Sequence, residues 1–94
     1  MKIVQKNYES DGGFYAMEND TAVGEMTYSW AGPDKIIIDH THVVPGYTDS
    51  GIGKKMVMKA VDYARDNNIK IVPLCTFANS VFKKNPDIRD VLYN

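Results

Sequence analysis

The sequence has little cysteine, little net charge and no long apolar run, and each shortage removes a class of protein. A single cysteine in 94 residues, Cys75, leaves no intrachain disulfide framework and no cysteine-rich zinc site. A lone free thiol fits a reducing compartment. Lys and Arg number 11 against 12 Asp and Glu, giving a formal charge of −1. That balance provides no broad basic footprint for nucleic acid. No stretch approaches the roughly 18 consecutive apolar residues of a membrane span. The opening Met1-Lys2-Ile3-Val4-Gln5-Lys6-Asn7 is too polar for a secretory leader, so the expected location is cytoplasmic. Histidine is scarce as well: His40 and His42, two apart, are too few for a metal site. Repeats, linkers and low-complexity tracts are missing, and residues 1–94 are expected to form one domain.

What is present is an ordinary globular composition, 44% hydrophobic and 24% charged. Alternation and β-branched or aromatic residues predict strands over residues 2–6, 14–18, 21–30 and 35–43. Ser10-Asp11-Gly12-Gly13 reads as the first turn, Asn19-Asp20 as a tight reversal, and Ala31-Gly32-Pro33-Asp34 as a third turn. Ile36-Ile37-Ile38 suggests a strand buried on both faces. From residue 51 to 67 the apolar positions Ile52, Met56, Val57, Ala60, Val61 and Ala64 recur at helical spacing, so one stripe faces a sheet. Asn67-Asn68 supplies a left-handed stop.

A fifth strand is expected over 69–75, parallel to the fourth because a strand–helix–strand crossover is right-handed. Pro73 removes a ladder donor, which predicts that the two parallel strands part near it. A second helix over 76–84 turns Phe77 and Val81 inward, with Ala78 and Phe82 beside them, and Asn85-Pro86 ends it. Residues 87–93 form a last helical turn or two packing Ile88, Val91 and Leu92. Tyr8, Tyr15, Tyr28 and Trp30 read as packing on the sheet. The order β-β-β-β-α-β-α is a mixed α/β (α+β) fold: antiparallel strands, a βαβ crossover and a C-terminal helix.

The junction between the fourth strand and the first helix carries the clearest chemistry. Tyr47-Thr48-Asp49-Ser50-Gly51-Ile52-Gly53-Lys54-Lys55 takes the chain from a strand through a glycine turn into a helix. Free N–H groups at a helix start, with the dipole behind them, suit an anion. Lys54 and Lys55 sit in the first helical turn, where a cation is unfavourable unless a negative ligand is present. The alternative is a solvated helix start with surface lysines. A Walker loop fails twice, with Thr48 where glycine is needed and Lys55 where Ser or Thr is needed. A dinucleotide fingerprint fails at Met56.

The loop resembles the coenzyme A loop of the GNAT N-acetyltransferases, [Q/R]xxGxG/A after a hydrophobic strand. Residues 48–53 match both glycines, with Thr48 in place of the usual Gln or Arg. The element order is similar to the core of that fold. His40-Thr41-His42-Val43, Pro73-Leu74-Cys75 and Phe82-Lys83-Lys84-Asn85-Pro86 look like the pattern of a short stand-alone subgroup, with Asn85 where histidine is common. The resemblance implies an acetyl-CoA-dependent N-acyltransferase acting on a small-molecule or peptide amine. It also implies pantetheine along Val43 and Val44, the pyrophosphate on the amides of Gly51, Ile52, Gly53 and Lys54, and further cofactor contacts from Ser50, Lys55 and Asn79. A coenzyme-binding module without efficient turnover is the alternative, and a ligand-free interaction domain a third.

Two residue types suggest catalysis. Cys75 is a candidate acetyl acceptor, since the helix expected from Thr76 starts beside it. A buried, inert cysteine is the alternative. His40 and His42 share one strand face by period two, and His40 is the candidate general base toward an amine or toward Cys75. By the same period, Asp39 and Thr41 face the other way. Lys83 and Lys84 read as a solvated face.

Overall fold

The computed structural model of the chain describes residues 1–48 and 50–93. Four antiparallel strands come first: β1 (Lys2–Asn7), β2 (Asp11–Glu18), β3 (Thr21–Trp30) and β4 (Lys35–Val43). Helix α1 (Ile52–Asn67) crosses over to β5 (Lys70–Pro73), which pairs in parallel with β4. Helix α2 (Thr76–Lys84) and a 3₁₀ segment (Pro86–Val91) complete the chain, and the sheet order is β1-β2-β3-β4-β5. This is the expected mixed fold, with the parallel pair where the crossover put it.

The first turn is earlier than expected. Tyr8 N–H donates to Asp11 C=O at 2.7 Å, and Asp11, Gly12 and Gly13 already belong to β2. Gly12 serves close approach: a Cβ there would lie 2.5 Å from Lys6 O and 2.6 Å from the Tyr28 hydroxyl oxygen. The Tyr28 ring is buried, and its hydroxyl donates to Asn7 Oδ1 while accepting from Gln5 Nε2. Burial, more than any charge, pushes its phenol above the usual value.

One sheet face packs on the helices. Phe14, Ala16, Met26, Tyr28, Ile36 and Ile38 meet the α1 stripe Ile52, Met56, Val57, Ala60, Val61 and Ala64, all buried. From α2 come Ala78, Val81 and Phe82. Helix α1 stops where Asn68 adopts φ 55°, as the Asn-Asn pair predicts. Ile37, expected to be buried like its neighbours, is half-buried, because no described helix covers its face.

Two irregularities shape β4. Thr27 lies opposite His40 but Tyr28 lies opposite Ile38, so Asp39 is an extra residue, a β-bulge. Its carboxylate accepts from Thr27 Oγ1 at 2.7 Å and from Ser29 Oγ at 3.0 Å. Asp39 therefore lies on the open face with the histidines, contrary to a strict alternation, while Thr41 and Val43 turn to the helix side. The second irregularity is the end of the parallel pair at Ile38↔Pro73.

Candidate functional site

β5 is shorter than expected, and the parting of the strands makes the site. Leu74 and Cys75 both donate their N–H to Ile38 C=O, each at 3.0 Å, as β5 turns away. β4 continues to Val43 with β3 alone beside it. Val44 N–H donates to Val23 C=O at 2.9 Å, so alternation turns the main-chain groups of Thr41 and Val43 to the side β5 has vacated. That edge can receive an extended amide chain as an added strand would. A cleft of about 380 Å³ lies there, lined by Thr41, Val43, Thr48, Gly51, Gly53, Lys54 and Phe77. Its size falls in the usual range for small-molecule sites.

The start of α1 forms one end of the cleft. Gly51 takes φ 79°, and the first helical bond runs from Lys55 N–H to Gly51 C=O at 3.0 Å. The amides of Gly51, Ile52, Gly53 and Lys54 precede that bond and gather the positive end of the dipole. The first turn holds no acidic residue and no side-chain cap. These features fit a diphosphate, which needs several donors and a nearby cation such as Lys54.

The loop residues divide by role. Gly51, Gly53, Lys54 and Val43 line the cleft, whereas the Ile52 side chain is buried in the core and offers only its amide. Ser50 is turned back, its amide (3.1 Å) and its hydroxyl both donating to Tyr47 C=O. Lys55 lines a second groove toward β1, and Val44 lines a recess beside His42 and Glu25. Asn79 is half-buried on α2 and stands outside the set lining the cleft. Asp49 lies outside the described residues.

Thr41, Thr48 and Phe77 are the three cleft residues outside the site expected from the sequence. Phe77, expected to point inward, is 40% exposed, and its ring covers Gly53, where a Cβ would come within 2.5 Å of the ring tip. Thr41 holds the thiol: Cys75 Sγ–H donates to its Oγ1 at 3.2 Å. Cys75 is also the residue preceding the first turn of α2, half-buried at the mouth of the parting strands.

The two candidate catalytic residues are not brought together. His40 lies on the open face, its Nε2 3.8 Å from Glu25 Oε1 and its ring stacked on His42 with centroids 6.4 Å apart. Cys75 meets the helix-side residue Thr41, so β4 separates the thiol from the imidazole. The bulge at Asp39 is the reason, since it fixes which residues face which side. A thiol–imidazole pair of Cys75 with His40 is therefore not formed.

Among the described residues, no helix is long and apolar enough to cross a membrane. The model of the GCN5-related N-acetyl-transferase family matches residues 13–91. A GCN5-like protein from Staphylococcus aureus is similar over 97% of this chain and 88% of its own, with 34% identity and a TM-score of 0.71. The ribosomal-protein-alanine N-acetyltransferase of Brucella melitensis biovar Abortus 2308 shares the fold at 16% identity and TM-score 0.68, over 82% of this chain but 62% of its own. An aminoglycoside N-acetyltransferase in complex with CoA shares it at 13% identity and TM-score 0.61, over 82% of this chain and 67% of its own. No curated protein matches. The family model spans most of the sequence and the staphylococcal relative nearly all of it, so the chain belongs to the GCN5-related N-acetyltransferase family.

Proposed function

We propose that the protein binds acetyl-CoA in the cleft between β4 and α2 and transfers the acetyl group to an amine. The observation that carries this reading is the free β4 edge at Thr41 and Val43, ending on the amides at the start of α1. Bound acetyl-CoA supplies an activated acetyl thioester. The main chain of Thr41 and Val43 receives the pantetheine amides, the amides of Gly51–Lys54 hold the diphosphate, and the Lys54 ammonium offsets its charge. The Phe77 ring walls the cleft against water.

Cys75 donates its thiol hydrogen bond to Thr41, which lines this cleft and orients the thiol. In a covalent route the Cys75 sulfur would attack the thioester carbonyl, the bond from acetyl to the coenzyme sulfur would break, and the coenzyme would leave as its thiol with the proton Cys75 gives up. An amine nitrogen would then attack the acetyl-cysteine, forming the amide as the Cys75 sulfur leaves and regains a proton from the amine. Thr41 accepts the thiol hydrogen bond, but an ordinary hydroxyl is too weak a base to take the proton. In a direct route the amine nitrogen would attack the thioester carbonyl itself, the coenzyme would leave as its thiol with the proton the amine gives up, and Cys75 would form no bond to the acetyl group. Mass spectrometry after incubation with acetyl-CoA separates the routes: an acetyl group on Cys75 supports the first. Unchanged amine acetylation by Cys75→Ala removes it. Acceptors are found by screening amines with labelled acetyl-CoA, and calorimetry with acetyl-CoA tests the binding on which both routes depend.

A binding module without efficient turnover is favoured by one observation, the separation of His40 from Cys75. Tight binding of acetyl-CoA with no acetylated product across the amine screen selects that reading.

A further inference from the structure

Where β4 and β5 part, the main-chain donors on the β5 side are spent. Leu74 and Cys75 both give their N–H to Ile38 C=O, each at 3.0 Å. The Thr41 hydroxyl, which lines the cleft, is different. A hydroxyl has one hydrogen to donate and two lone pairs that accept. Cys75 Sγ–H fills one of those lone pairs at 3.2 Å, and among the described residues nothing accepts the Thr41 hydrogen. Branching at Cβ restricts the Thr41 side chain, and the thiol occupies one side of its oxygen. The hydrogen is thus turned from the sulfur, and the open space beside this residue is the cleft.

We infer that the Thr41 hydroxyl, aimed by the Cys75 thiol, donates to the acyl carbonyl oxygen and stabilises the charge that gathers there during transfer. This rests on the acetyl-CoA reading above. A ligand that starts on the α1 amides and passes Val43 reaches Thr41 two residues on, about 7 Å along the strand. Its run ends there, because Ile38 C=O is already shared by Leu74 and Cys75. The reacting carbonyl therefore stops beside the hydroxyl and the thiol. Whichever nucleophile attacks, the π electrons of the carbonyl move onto its oxygen, and they return as the bond to the coenzyme sulfur breaks. Thr41 keeps its proton throughout and supplies a fixed dipole aimed at that oxygen. Cys75 acts through Thr41 as a positioning residue, which gives the half-buried thiol a task in the direct route as well.

The test is infrared spectroscopy of a bound ketone analogue of acetyl-CoA, with methylene in place of the thioester sulfur and a carbon-13 label at the carbonyl, so that no acyl group can transfer. A donated hydrogen bond lowers the carbonyl stretch. Thr41→Val keeps the shape of the side chain and should bind the analogue no more than about tenfold more weakly. Its carbonyl band is expected above that of wild type, and Thr41→Ser should bring the band back down. The same band in wild type and Thr41→Val overturns the proposal and leaves the coenzyme reading standing. If wild type does not bind the analogue, both fall together. Cys75→Ala keeps the hydroxyl but releases its rotor, so its band should broaden and rise toward that of Thr41→Val; an unchanged band overturns the role assigned to the thiol. With an amine from the acceptor screen, Thr41→Val should lower kcat about a hundredfold with little change in KM for acetyl-CoA, and Thr41→Ser should recover most of it. A loss confined to KM, or one that Thr41→Ser fails to restore, marks a packing role and overturns the proposal.

Discussion

Gly53 and the ring of Phe77 compete for the same space. The Gly-x-Gly spacing of residues 51–53 is legible in the sequence as a place where backbone approaches a phosphate. Why the second glycine is required was not legible, because the side chain that fills its missing Cβ comes from the other helix. A methyl group at residue 53 must displace the ring, and Phe77 is exposed enough to move. Gly53→Ala should therefore cost only about 1 kcal/mol in urea unfolding, near the lower end for overpacking. The displaced ring should also weaken acetyl-CoA binding. Phe77→Ala in the same chain relieves the overlap, so the double variant should regain stability lost by Gly53→Ala. A double variant whose losses simply add would show that ring and glycine are not coupled.

At the scale of elements, periodicity made most of the molecule readable. The buried stripe of α1 follows the apolar spacing residue by residue, and β4 parts from β5 after Pro73, the residue that lacks a ladder donor and holds the last pair. The bulge in β4 was not readable, because one extra residue leaves no trace in composition. It nevertheless decides the site: Ile38 and Thr41 both face the helices only because Asp39 is inserted between them. Phase was lost at that one residue, so the sequence put Asp39 on the wrong face and left Thr41 without a role. The Thr27 and Ser29 hydroxyls that bind Asp39 hold the bulge in register. Asp39→Ala should destabilise by roughly 1 kcal/mol, the net worth of exposed hydrogen bonds to a charged acceptor. Asp39→Asn, which keeps one carbonyl acceptor, should lose less. Equal stability of all three proteins in urea would mean that the hydroxyls do not support the bulge.

Across the whole molecule, the chain ends by sealing the β5 side of the sheet. Tyr93 N–H donates to Ile71 C=O at 2.9 Å, and Ile88 and Val91 bury beneath the 3₁₀ segment, as the apolar spacing of residues 87–93 led us to expect. Arg65 on α1 clamps that segment with two parallel bonds, Nε to Asp90 Oδ2 at 3.0 Å and Nη2 to Asp90 Oδ1 at 2.7 Å. Such a pairing over so many residues of separation cannot be read from local pattern. The Arg65 hydrogen bond, ahead of every other influence, holds the Asp90 carboxyl below the usual carboxylate value. The folded state therefore takes up this proton less readily than the unfolded chain, whose value is about 3.9. The resulting stabilisation is complete above that value and is lost as pH falls through the lower folded-state value. Asp90→Asn should thus be less stable than wild type at neutral pH, by a small margin because both side chains are exposed. The margin should shrink below about pH 4, as the wild-type carboxyl also becomes neutral. Urea midpoints measured from pH 7 down to pH 3 decide it: a gap that stays constant would mean that Asp90 acts through shape alone and that its charge does not hold the C-terminal segment to α1.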